Sequence, residues 1–140
     1  MFAAFPLLLL PVVIYNVIAL ALPGAFGGDA SARMAEVVFD IPMASGAMWQ
    51  VTIGDLLLAC SLIVLFVELL KSTTSRKLAI INHGLSLLLF IICLIELLLA
   101  PAFATSTYFL ITIMVLLDVL AGFIVTIVSA RRDIDFAQDM

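Results

Sequence analysis

Four carboxylates and one histidine stand among apolar neighbours: Asp55, Glu68, His83, Glu96 and Asp118. A charged side chain at the centre of a bilayer costs about 2.5–3.5 kcal/mol on insertion scales, so each needs a partner, water or a proton. Depth separates them. Asp55 follows Gly54 at the start of an apolar run, where the free N–H groups and dipole of a helix favour an acid or N-cap. Glu68 stands three residues before Lys71, placed to pair at i,i+3 and reach headgroup water. Glu96 lies near the far end of the next run, within similar reach of an interface.

Asp118 differs. It lies 10 residues after Tyr108 and 12 before Ala130, and at about 1.5 Å per residue its side chain reaches neither surface. It must face protein or water, or hold its proton. Its chemical reading is a proton- or ion-handling group; its structural reading is a hydrogen-bond anchor between helices. Gly122, Thr126 and Ser129 continue a small or polar stripe beyond it, and small residues let another helix approach closely.

A second stripe runs through Asn82, Ser86, Cys93 and Glu96, with Leu89 in the gap. Spacings of four, seven and three keep these residues on one helix face, which points into a helix interface. His83 lies beside the stripe at the depth of Glu68. It is a candidate for a proton relay with Glu68, for an axial bond to haem or to the magnesium of a pigment, or for a plain hydrogen bond to backbone or lipid phosphate.

Further chemistry is absent. There is no Ser–His–Asp order, HExxH, glycine-rich phosphate loop or paired-aspartate motif, so no residue is assigned a catalytic role and the chain reads as no enzyme. Cys60 and Cys93 sit inside apolar runs and read as small hydrophobes. The single histidine, without a Cys/His cluster, builds no metal site. Six Lys and Arg in the whole chain leave no basic footprint for nucleic acid.

The elements that position these residues follow from composition. Hydrophobic residues make up 66% of the 140, and charged ones 11%, against about half and a quarter in a soluble domain. A globule this small buries only about two thirds of its unfolded surface, so the excess apolar area must face lipid. About 20 apolar residues cross about 30 Å of hydrocarbon as a helix. Four segments qualify: Phe2–Leu22, Ile53–Leu70, Leu78–Ala100 and Tyr108–Ala130. The first lacks the charged n-region of a signal peptide and exceeds a usual h-region, so it reads as a retained helix. Pro6 fits its first turn, while Pro11 should kink it.

Lys71, Arg76 and Lys77 fall in the loop 71–77, and Arg131 and Arg132 in the tail 131–140; only Arg33 lies in the loop 23–52. Lys and Arg mark the cytoplasmic side, which places both termini inside and the long loop outside. Within that loop Pro23–Ala35 is rich in Gly and Ala and reads as flexible. Val37–Ile41 and Trp49–Ile53 then alternate apolar and polar around Ala44-Ser45-Gly46, which predicts a β-hairpin. Val37, Phe39 and Ile41 should share a face with Trp49, Val51 and Ile53, opposite Asp40, Gln50 and Thr52. Two strands alone are marginal in water, so Phe39, Trp49 and Val51 are expected to contact the helices, headgroups or a partner.

The sequence thus predicts an all-α membrane protein: one integral domain, a four-transmembrane-helix bundle with a short extracytoplasmic β-hairpin in the first loop. Asp118, Gly122, Asn82, Ser86 and Glu96 are its expected helix-interface polar residues. The expected role is a non-catalytic small accessory or structural subunit, self-associated or within a larger complex of a bacterial inner membrane, in contact with lipid. The alternatives are a small oligomeric channel or proton-coupled carrier using Asp118 and, from a third class, an intramembrane enzyme acting on lipid or quinone. Bound lipid is expected as its companion, and pigment or haem at His83 is the alternative.

Overall fold

The computed structural model describes residues 5–21, 30–72 and 76–138. The fold is mostly helical, 76%, with one small antiparallel hairpin. In chain order the elements are α1 (Leu9–Asn16), a π-helical segment (Val17–Ala21), α2 (Ala30–Met34), β1 (Val37–Pro42), β2 (Met48–Thr52), α3 (Ile53–Ser72), α4 (Arg76–Leu99), a 3₁₀ turn (Pro101–Phe103) and α5 (Ser106–Gln138). Three of these helices are long and apolar enough to cross a membrane: Ile53–Lys71, Ile81–Leu99 and Ser106–Val128.

Three boundaries of the long helices have identifiable causes. Thr52 and Asp55 cap α3 reciprocally: the Asp55 N–H donates to Thr52 Oγ1 at 3.1 Å, and the Thr52 N–H donates to Asp55 Oδ2 at 3.0 Å. This capping box satisfies donors that a helix start leaves free, and it accounts for the carboxylate at that position. Pro101 cannot continue α4, and the chain turns through 3₁₀ geometry into α5. Thr105 caps α5, its Oγ1 accepting the Tyr108 N–H at 3.1 Å. The α5 backbone stays helical to Gln138, beyond the end of the apolar run at Ala130.

The first apolar segment differs from expectation. It was to span Phe2–Leu22 with a kink at Pro11; residues 2–4 and 22 lie outside the described residues, and α1 begins at Leu9. Pro11 is therefore the third helical residue, where an N–H has no intrahelical acceptor anyway, so no bond is lost and no kink is required. After Asn16 the helix widens to π geometry. Its apolar length, Leu9–Leu20, is shorter than any of the three candidate spans.

The hairpin forms where the alternation placed it. Phe39 pairs with Val51, Asp40 with Gln50 and Ile41 with Trp49. A bulge between Val37 and Phe39 puts Val37 opposite Thr52, so Val37 leaves the expected face: an extra residue shifts the side-chain parity. Ile53 also leaves it, as the first residue of α3. Gly46 closes the turn at φ +84, a left-handed conformation that side chains with a Cβ resist. The loop before it, read as flexible, contains α2, with Ala30 and Met34 buried; residues 22–29 lie outside the described residues.

α5 is the central element and packs against both α3 and α4, while α1 lies across α3 and α5. Tyr15, Phe103 and Tyr108 form an aromatic cluster, with centroids 4.6–5.6 Å apart. Outward, Leu62, Ile63, Phe66, Leu98 and Leu99 are all exposed. Only 28%, 22% and 33% of the three spans is buried inside the chain, an outer surface compatible with insertion into lipid.

Candidate functional site

The polar residues of the bundle gather at three levels along its axis. The first is the Lys71 end, where α3 finishes. The Glu68 carboxylate, 0% exposed, accepts from Asn82 Nδ2 of α4 at 2.5 Å and from the Leu7 N–H, one residue before the α1 cap, at 2.7 Å. Lys71 Nζ lies 3.1 Å from Glu68 Oε1 and donates also to the Asn82 Oδ1 and the Phe5 carbonyl. The i,i+3 pair expected from sequence is present. Its setting is not: Glu68 is enclosed by protein instead of reaching outward to water. The reason is the approach to α1, which brings the Leu7 backbone N–H to this carboxylate.

The second level is at mid-helix. Asp118 is 5% exposed, and Ser86 Oγ of α4 donates to its Oδ2 at 2.6 Å. One turn further along α5, a methyl group at Gly122 would overlap the His83 imidazole, nearest at Nδ1. His83 stacks edge-on to Phe123 at 4.5 Å. Both its ring nitrogens are buried, with no hydrogen-bond partner among the described residues. Glu68 bonds Asn82, Lys71 and Leu7 and makes no bond to His83, so the structure does not bring the two together as a relay. An axial bond to a tetrapyrrole metal would require the imidazole to leave this position, because the chain's own atoms cover both nitrogens.

The third level is the hairpin end. Glu96 Oε2 accepts from the Tyr108 hydroxyl and, at 3.4 Å, from Asn16 Nδ2. Tyr15 donates its one hydroxyl hydrogen to the Ala102 carbonyl at 3.1 Å, which leaves Thr105 Oγ1 as the donor in the 2.6 Å Tyr15–Thr105 contact. The chain from Tyr108 N–H through Thr105 and Tyr15 to Ala102 ties α1 to the start of α5.

Asn82, Ser86, Leu89 and Cys93 are all buried and Glu96 partly so: the stripe is the inward face of α4. In the hairpin, Val51 is seated at 4% exposure, while Phe39 at 45% and Trp49 at 50% are open. Ser129, Arg76, Lys77, Arg131 and Arg132 have side chains outside the described residues. Among the described residues no group of three or more His, Cys, Asp or Glu is placed to hold a metal. Sequence reasoning missed Tyr15, Asn16, Thr105 and Tyr108. Adjacent Tyr15 and Asn16 interrupt the first apolar run and were a signal that this helix carries a polar face too.

Comparisons with protein-family models, with curated proteins and with solved structures return no match.

Proposed function

We propose that the chain crosses the membrane four times and serves as a non-catalytic small subunit, bound to copies of itself or within a larger membrane complex. The fourth crossing is α1. Its N-terminal approach is held by Glu68 and Lys71 at one end of the bundle, and Asn16 meets Glu96 at the other. Hydrogen bonds at both ends support a crossing by a helix short for the task. The Lys71 end carries the basic residues, which supports a cytoplasmic location for it and for both termini. We place the chain in a bacterial inner membrane.

The observation that carries the subunit reading is the hairpin. β2 runs straight into α3, so Trp49 stands just before the start of an apolar span, and its ring and that of Phe39 are open. A two-stranded sheet whose apolar face is covered only at Val51 is marginal by itself, and an exposed aromatic pair at this level suits another subunit or the headgroup zone. Chemical crosslinking in native membranes, followed by mild detergent extraction, tests it. Identical copies or other polypeptides should accompany the chain; recovery as a lone monomer in both assays sinks the reading.

One observation favours the second reading, a small channel or proton-coupled carrier. Lys71, Glu68, Asn82, Ser86 and Asp118 form a series of polar side chains from one end to mid-helix. Beyond Asp118, Leu89 and Cys93 occupy the α4 face before Glu96, an apolar stretch that weighs against a continuous path. Proton flux in liposomes, wild type against Asp118→Asn, decides between them.

A further inference from the structure

Lys71 is held in an unusual way. Its Nζ is met by four oxygens: the Phe5 carbonyl at 2.5 Å, Glu68 Oε1 at 3.1 Å, Glu68 Oε2 at 3.4 Å and Asn82 Oδ1 at 3.3 Å. An ammonium has three N–H groups, so these acceptors outnumber the donors they surround. They come from three separate parts of the chain: the segment before α1, then α3, then α4. The cage is also braced. Asn82 turns its Nδ2 to Glu68 Oε1 and so leaves Oδ1 facing Lys71, and the Leu7 N–H holds Glu68 Oε2. An arrangement of this kind is built around a positive charge, with the hydrogen-bond directions secondary.

We propose that the oxygen cage around Lys71 Nζ is a monovalent-cation site, with the lysine's own ammonium as its tethered occupant. The ligand class follows from the donor set. One carboxylate, one amide and one backbone carbonyl supply a single negative charge, and among the described residues no group of three or more His, Cys, Asp or Glu is placed to hold a metal. Calcium and magnesium call for more charge or more oxygens than this. A small monovalent cation or a primary ammonium fits instead. Access exists, because the Lys71 side chain is 21% exposed while Glu68 is fully covered, so an ion from the adjoining aqueous phase can replace the ammonium when the lysine swings out. Once a cation is lost, Glu68 is left as a buried, unpaired charge, which gives the site its affinity.

The test removes the tethered cation and offers a free one. Lys71→Ala is extracted and heated in sodium, potassium, methylammonium and choline chloride at equal ionic strength. The variant should melt below wild type in choline. It should recover most of that loss, saturably, with at least one of the three small cations, while wild type responds alike to all four. The double variant Lys71→Ala/Glu68→Gln should lose the cation response. If Lys71→Ala is too unstable to purify, the monodisperse fraction recovered at extraction is the readout. Equal melting or recovery in all four salts, or a cation response that persists in the double variant, overturns the proposal.

Discussion

Ser86 on α4 and Asp118 on α5 meet through a 2.6 Å hydrogen bond with almost no solvent at either residue. Interhelical hydrogen bonds in membranes average about 0.6 kcal/mol and reach about 1.7. As an anchor, Asp118→Asn keeps an acceptor for Ser86 and should leave thermal stability in detergent close to wild type, whereas Asp118→Leu should lower it modestly. As a proton carrier, Asp118→Asn should abolish flux as fully as Asp118→Leu. Lost flux with unchanged stability in the Asn variant removes the anchor reading, and intact flux removes the carrier.

Gly122→Ala should destabilise the protein by about 1–3 kcal/mol, the usual range for overpacking, because the new methyl overlaps the His83 ring. His83→Ala in the same background should return much of that loss by vacating the space. Thermal melts of the two single variants and the double variant form the cycle. Additive losses would show that the two residues do not share this space in the membrane.

Tyr15→Phe should cost about 1 kcal/mol, since one hydroxyl is removed from a chain that leaves the Ala102 carbonyl and Thr105 short of a partner. Thr105→Val should cost at least as much, because it also takes the cap from α5. Equal stability of all three proteins by thermal unfolding would mean that α1 is not held at this end.

The proposed topology is read directly with cysteine reporters at Ser45 and Ser75, in a background with Cys60 and Cys93 replaced. Ser45 lies in the hairpin turn; Ser75 lies outside the described residues, between α3 and α4. The two should label with impermeant reagent from opposite sides of the membrane, Ser45 from outside. Labelling from one side overturns the crossing count.

Trp49→Ala should weaken association with copies or partners in the crosslinking assay. If lipid is the contact instead, quenching of the single tryptophan by bromolipids should be strong in wild type. Unchanged association together with absent quenching would make the hairpin a spacer.

Long elements were legible in the sequence because one signal dominates them. The runs beginning at Ile53, Leu78 and Tyr108 are predominantly apolar, and α3, α4 and α5 cover them, save Ala100 at the end of the second. The hairpin was legible from the alternation at Phe39–Ile41 and Trp49–Val51, apart from the bulge, whose extra residue leaves no mark in a period-2 pattern. The inward stripe of α4 followed from helical spacing alone. The enclosure of Glu68 did not, because it depends on where a distant backbone N–H ends up, and spacing within one helix carries no such information. His83 and Gly122 were each noticed, but their contact joins two helices and is visible only when the helices are packed.

The attachment of α1 has a consequence for the order of assembly. Its approach and its two ends are fastened by Glu68, Lys71, Glu96, Ala102 and Thr105, every one of them synthesised after it. Domains commonly form from the N-terminus while the chain is still being made. Apart from Arg33, whose guanidinium meets the Ile18 carbonyl, these partners arrive only when α3, α4 and the start of α5 have left the ribosome. The hydrogen bonds that fasten α1 therefore close in the reverse of chain order, with the first helix of the chain fixed by the residues made last.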